Sequence, residues 1–398
     1  MKILFLLPGL GISGGTYVVF QHARFLKSQG HEVFFFSNQP ENKQLSCWHP
    51  FLKEISLLTW DESTSQTWDS VVATYWLTAL QAPALKAKSY VYFVQSIESR
   101  FYFGEESKFI RELVDSTYSM AFSYVTEATW IKEYLLENHS QDCALVRNGI
   151  DKDLYHPPKK EDLPSPRKHL RVLVEGPMGI DFKQVIPTIR LLKEFHDIET
   201  WLLTSTKIAW LPKVDKLFSS VPIGQVPSIM RQCDLILKLS LIEGMFGPPL
   251  EMFHCGGTAV TYGIAGHAEY MEHEKNSLVA KVGDKGEVRK HVRRLNSDRP
   301  YLSELRTNAL ATASEWPDWT KSSYEFEVFL SRARFTDNLA APSAETTRLE
   351  SAFGYFGLNG AKTLKSQIKL FGLKHLPIKE FYRDVKFWVE ILKRETTK

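Results

Sequence analysis

The stretch Ser240-Leu-Ile-Glu-Gly-Met-Phe-Gly-Pro-Pro-Leu-Glu-Met-Phe-His-Cys-Gly-Gly257 decides the fold. Two glutamates, Glu243 and Glu251, bracket a glycine-broken loop that opens into a proline-started helix. Pro248 and Pro249 suit the first helical turn, where a missing N–H costs nothing, and Gly256 and Gly257 suit the C-terminal cap. Glu251 is therefore expected in the first turn. The unpaired backbone donors of such a turn carry partial positive charge and can face a phosphate, while Gly244 and Gly247 let the backbone approach a ligand closely. A carboxylate there can accept hydrogen bonds from sugar hydroxyls. Taken alone, E-x7-E is read more simply as a favourable first-turn charge on the helix dipole. The surrounding sequence shifts that balance towards a site for a nucleotide sugar.

Outward from this stretch, strands alternate with helices in two series. The first begins with a strand at Lys2–Leu7, a loop at Pro8–Gly15, a helix over about Thr16–Gln29, a capping Gly30 and a strand at Glu32–Phe36. Val19, Ala23 and Leu26 recur at helical spacing in that helix. Apolar runs at Ser70–Tyr75, Tyr90–Val94 and Ser119–Val125 read as buried parallel strands. A proline- and charge-rich linker at 156–168 follows. The second series runs through strand Leu170–Val174, a helix near Gln184–Glu194, strands Glu199–Thr204 and Asp234–Leu239, the helix after Pro249, and strand Thr258–Thr261. Strand–helix alternation of this kind predicts right-handed βαβ units and a parallel sheet, here twice, with ligands at the carboxyl ends of the strands. The expected organisation is a first domain over 1–155, the linker, a second domain over 169–334 and a tail over 335–398.

Composition fits a folded protein. The 398 residues suffice for two to three domains, with 43% hydrophobic and 24% charged residues and no low-complexity tract. Cys47, Cys143, Cys233 and Cys255 lie far apart with no CxxC pair, which points to reduced thiols in a cytoplasmic protein. The N-terminal apolar run leads straight into a glycine loop, so a first buried strand explains it better than a signal peptide. No stretch is long and apolar enough to read as a membrane span. Net charge is +3, yet residues 362–398 hold ten basic against four acidic side chains, interleaved with Leu364, Ile368, Phe371, Phe387 and Trp388. That basic amphipathic segment fits peripheral contact with an anionic membrane face. A terminal helix packed on the body with a solvated basic side fits it better, since long surface helices commonly look like this.

Several motifs compete. Gly9-Leu-Gly11-Ile-Ser-Gly14 is a literal GxGxxG, but the second strand ends in Ser37-Asn38 and offers no acidic residue to grip a dinucleotide ribose. Asp151-Lys-Asp153 spells DxD, but it falls at the start of the hinge and reads as turn carboxylates after Asn148-Gly149. No metal, cofactor or nucleic-acid partner is expected. Ser13 and Ser240 lack the GxSxG context of a hydrolase.

Four segments in order carry a resemblance: GISGG with its helix and GHEV; VRNGIDKDLYHP; SLIEGMFGPPLEMFHCGGTAV; and GIAGHAEYMEHEKNSLVA with Glu269. Together they resemble the GT-B retaining glycosyltransferases of the group 1, family 4 type, over nearly the first 330 residues. YFVQSIESRFY further resembles a bacterial rhamnosyltransferase-like subgroup. The resemblance implies an α/β fold of two Rossmann-like parallel-sheet domains facing a cleft, with a C-terminal helical tail. It implies transfer of a hexosyl or deoxyhexosyl unit from a nucleoside-diphosphate sugar, a substrate and not a cofactor, to a polysaccharide or lipid-linked glycan acceptor. Carried over by position, Glu251 binds ribose, Glu243 contacts the donor sugar, Gly14 and Gly15 approach the diphosphate, and Gly244, Phe246 and Gly247 line the donor site. Lys183 matches the lysine that neutralises the leaving diphosphate. Where the family has Gly-Arg this chain has Gly176-Pro177, so the arginine of that clamp is missing and another basic residue has to serve or affinity falls. Gln95 and Glu98 stand where relatives place an acceptor-side histidine. Glu243 and Glu251 share one donor site and do not flank a scissile bond as a glycosidase pair must. A GT-B epimerase or hydrolase, or a catalytically silent sugar-binding scaffold, are the alternatives.

Overall fold

The structure is a computed structural model that describes residues 1–38, 48–159, 168–208, 214–336 and 339–340. Its first sheet has seven strands: β1 Lys2–Leu7, β2 Glu32–Ser37, β3 Ser56–Leu58, β4 Thr67–Ala73, β5 Lys86–Val94, β6 Ser123–Thr126 and β7 Cys143–Leu145, in the order β3-β2-β1-β4-β5-β6-β7. The second has six: β8 Leu170–Glu175, β9 Ile198–Thr204, β10 Lys216–Ser219, β11 Leu235–Lys238, β12 Thr258–Tyr262 and β13 Leu278–Ala280, in the order β10-β9-β8-β11-β12-β13. Every strand pairing is parallel, with Phe5 opposite Phe35 on one side and Val72 on the other. Ile3, Leu4, Phe5 and Leu6 are completely buried, as both faces of a parallel sheet under helices require. The expected α/β architecture of two Rossmann-like sheets is what the chain adopts.

In each sheet the strand order reverses between two central neighbours, β1/β4 and β8/β11. Loops leaving the two neighbours diverge there, and the crevice between them is where such folds hold ligands. The glycine loop follows β1, Glu175-Gly176 closes β8, and the Ser240–Gly257 stretch follows β11.

Three expectations change. The first helix spans Gly14–Ser28, because the Ser13 hydroxyl accepts from Thr16 N at 3.1 Å and caps it two residues early. Gly14 and Gly15 thus lie inside its first turn and not in the loop. The run Ser119–Val125 divides into turn residues and the shorter β6. The chain also crosses back: helix Trp319–Arg332, expected in the second domain, packs on the Gly14–Ser28 helix of the first. There Phe326 stacks on His22 at 4.4 Å, His22 Nδ1 meets Ser323 Oγ at 3.0 Å, and Ser322 Oγ donates to Arg147 O at 2.6 Å. Apolar matching explains the return, since Phe326 and Leu330 join the core formed by Phe5, Phe20 and Phe35. Most of the 156–168 linker and of the 335–398 tail, with the basic amphipathic segment, lie outside the described residues, as does Cys47. Cys143, Cys233 and Cys255 are free and buried.

Candidate active site

The second-domain wall is built by β11, its loop and helix Gly247–His254. Phe246 caps that helix, Pro248 occupies its first turn and Gly256 ends it at φ +80°, as the sequence predicts. Glu251 sits one residue deeper than expected, just past the first turn, because helical geometry already begins at Gly247. Burial, reinforced by the charge of Glu175 and opposed by Lys238, pushes its carboxyl up to about 8. Its charge also reaches Tyr17 on the first-domain helix, whose hydroxyl is raised chiefly by burial.

Lys183 and Glu243 meet as an ion pair at 2.7 Å. Lys183 ends a short turn, Asp181–Lys183, closed by Gln184 at φ 52°. A second cation was not anticipated. Lys238, at the end of β11, is only 3% exposed and places Nζ 2.6 Å from Glu175 Oε2 and 3.6 Å from Glu243 Oε1. Burial would raise the Glu243 carboxyl, but Lys183 and Lys238 hold it below its ordinary range. Burial opposes the Lys238 charge, and Glu175 with Glu243 raises it nonetheless. A lysine within the otherwise apolar run Leu235–Leu239 was the available signal.

The first-domain wall contributes Gly14, Gly15 and Gln95. A Cβ on Gly14 or on Gly247 would meet nothing within 4 Å, so both backbones face open space. Gly15 instead packs on the Gln95 amide, where a Cβ would lie 3.1 Å from Oε1. Gly244 proves to be a point of domain contact: a Cβ there would stand 1.8 Å from the Gln95 carbonyl oxygen. Its own carbonyl accepts from Trp130 Nε1 at 3.0 Å. Phe246 is completely buried and its carbonyl accepts from the Tyr270 hydroxyl, so its ring anchors the loop and is withheld from any ligand.

Glu98 is likewise withheld. It is 3% exposed, accepts from Trp76 N at 2.7 Å and from Tyr92 OH at 3.0 Å, and so caps helix Trp76–Gln81 from below the surface. Burial pushes it up to about 8. Two further glutamates tie the domains together. Glu127, beyond β6, accepts from Met245 N at 3.2 Å and from Asn148 Nδ2 at 2.8 Å, and burial lifts it to about 7. Glu269 accepts from Thr129 N at 2.6 Å and Thr129 Oγ1 at 3.0 Å, with Arg147 at 3.6 Å. Phe101 and Phe182 stack across the cleft at 5.1 Å. Asp151 takes up a turn role, accepting from Leu154 N at 3.1 Å. Among the described residues no group of three or more His, Cys, Asp or Glu is arranged to hold a metal ion.

Residues 211–312 match the family model described as glycosyl transferases group 1. The O-antigen biosynthesis protein RfbC of Myxococcus xanthus is 25% identical over 272 residues, covering 65% of this chain and 20% of that protein. The 2-deoxystreptamine glucosyltransferase of Streptomyces kanamyceticus is 29% identical over 97 residues, covering 24% of this chain and 25% of its own length. The chain thus spans a quarter or less of these curated relatives. Anabaena Alr3699/HepE in complex with UDP-glucose superposes with a TM-score of 0.69 at 16% identity, over 83% of this chain and 100% of that one. The chain has the GT-B fold, and residues 211–312 of its second half match the group 1 glycosyl transferase model.

Proposed function

We propose that this protein transfers a hexosyl or deoxyhexosyl unit from a nucleoside-diphosphate sugar to a polysaccharide or lipid-linked glycan acceptor, with retention at the anomeric carbon. The observation that carries the reading is the Lys183–Glu243 pair, 2.7 Å apart at the strand-order reversal of the second sheet, with Lys238 in contact range of Glu243. The group 1 match over 211–312, which includes Glu243 and Glu251, supports it, as do the UDP-glucose complex of the HepE fold relative and the O-antigen role of RfbC.

Glycosyl transfer needs an electron-poor anomeric carbon stabilised and a diphosphate leaving group neutralised. Lys183 and the open first turn at Gly14 supply positive potential for the second task, fixed in place before reaction begins. Glu243, held ionised, accepts from hydroxyls of the donor sugar and fixes the ring. Glu251 accepts from the ribose. The leaving phosphate oxygen takes the acceptor proton on the face it departs from, so the first-domain wall need only position the acceptor. Gln95, lodged between Gly15 and Gly244, is the group suited to that. A membrane-bound acceptor would bring the basic segment at 362–398 against the lipid face.

The test is nucleotide release from UDP-, GDP- and dTDP-sugars with and without a lipid-linked glycan acceptor, with the product anomer read by NMR. Release that requires acceptor, retains configuration and falls about 10²–10³-fold in Lys183→Ala supports the reading. Release without acceptor makes the protein a hydrolase or epimerase, and binding with no release makes it a scaffold.

A further inference from the structure

Lys183 is given two anions by the proposed chemistry. It is bound to Glu243 at 2.7 Å, and it has to serve the donor diphosphate. Once drawn to phosphate it leaves behind a carboxylate that is only 9% exposed, and an unpaired buried carboxylate either takes up a proton or resists the transfer. Glu243 Oε1 has no hydrogen-bond partner among the described residues, and the nearby Ser240 hydroxyl holds the carboxylate down less than either lysine does.

We propose that Lys238 is the standing counter-ion of Glu243, a positioning residue that keeps this carboxylate ionised while Lys183 moves to the diphosphate, and so does part of the work of the arginine absent at Gly176-Pro177. The inference rests on the transferase reading. Three observations support it. Lys238 is 3% exposed against 21% for Lys183, so Lys238 stays in the wall while Lys183 is free to reach a ligand. It is anchored from behind by Glu175, through Oε2 at 2.6 Å and the main-chain carbonyl at 3.3 Å, which fixes it 3.6 Å from Glu243 Oε1. It also lies under the very turn that lacks the arginine, since a Cβ on Gly176 would come within 3.7 Å of Lys238 Nζ. Stability alone gives little reason for the arrangement, because a buried ion pair seldom outperforms apolar packing of the same volume.

Titration calorimetry of the full chain with UDP, GDP and dTDP at pH 6, 7 and 8, in buffers of different ionisation enthalpy, tests this. In Lys238→Met, Glu243 gains a proton as the nucleotide draws Lys183 away. Binding then takes up as much as one proton more than in the wild type. Glu251, at about 8 and within reach of the Lys238 charge, and Glu127, at about 7 and within reach of Glu243, titrate in the same range. The extra proton is therefore assigned to Glu243 by its loss in Lys238→Met/Glu243→Gln. Affinity is close to wild type at pH 6 and falls behind as pH rises, by as much as about tenfold per pH unit. Lys238→Arg restores the wild-type proton count. Should Lys238→Met fail to fold, Lys238→Met/Glu175→Gln removes the anchoring charge with it and is expected to show the same linkage. Equal proton counts and a constant affinity ratio across pH in a folded variant overturn the role of Lys238 alone. A wild type that binds none of the three nucleotides overturns the transferase reading and this role together.

Discussion

Gly244 shows how much one missing methyl can decide. Its Cβ position is filled by the Gln95 carbonyl at 1.8 Å, and that atom belongs to the backbone and cannot swing aside. Gly244→Ala is expected to cost about 1–3 kcal/mol, the usual penalty for overpacking a tight contact. Gly15→Ala meets only the movable end of the Gln95 side chain and is expected to cost less. Urea unfolding of both variants checks this, and equal stabilities would remove the contact from the explanation. The glycine was visible in the sequence, but its partner was not, because Gln95 lies in the other domain. Glu243 and Glu251 stood out by their spacing and Lys183 by the family resemblance alone, and the structure pairs Lys183 with Glu243 at 2.7 Å. Lys238 was not, since its meaning depends on β8 lying beside β11 and bringing Glu175 against it.

Among the elements, unbroken apolar runs were readable, including four-residue β11, whereas polar flanks hid the starts of β4 and β5, three and four residues before the expected bounds, and most short strands were missed. β1, β2, β8, β9 and β12 lie within a residue or two of their expected bounds, because five to seven residues buried on both faces leave an unbroken apolar run. β3, β7, β10 and β13 have three or four residues each, too few to show a period. Helix Trp76–Gln81 carries the clearest consequence for pH. Its capping Glu98 holds a proton in the native fold up to about pH 8, whereas an unfolded carboxyl loses it near 4.3. Between those values the native state binds more protons than the unfolded chain, so stability falls as pH rises and levels off above about 8. Glu127 and Glu251 act in the same direction, through burial. Buried His22, His49 and His254, held down to about 3, 4 and 4, oppose this below about pH 6.5, where the unfolded chain binds their protons and the native state does not. Melting temperature is therefore expected to decline from about pH 6.5 to 8.5, with a shallower slope in Glu98→Gln. An unchanged slope in that variant would contradict the assignment of Glu98 as a buried cap.

At the scale of the molecule, the returning helix Trp319–Arg332 makes the first domain depend on sequence that follows the second. Phe326, completely buried, touches Phe5, His22 and Phe93. Phe326→Ala is expected to destabilise by about 3–5 kcal/mol and to speed amide exchange in helix Gly14–Ser28 while sparing the second sheet. Uniform acceleration in both domains would instead mean that they unfold as one unit. The two walls of the cleft are joined through Glu127, Glu269 and Trp130, and the donor is expected to lie between Glu251 on one side and the first turn at Gly14 on the other. Thermal unfolding of the wild type and of Glu251→Ala with UDP-, GDP- and dTDP-sugars, NAD and FAD tests that placement directly. A ligand at a hundred times its Kd stabilises the native state by about 2.7 kcal/mol. Stabilisation by one nucleotide sugar that disappears in Glu251→Ala is the predicted result, and a response to NAD or FAD alone, unaffected by that substitution, would contradict it.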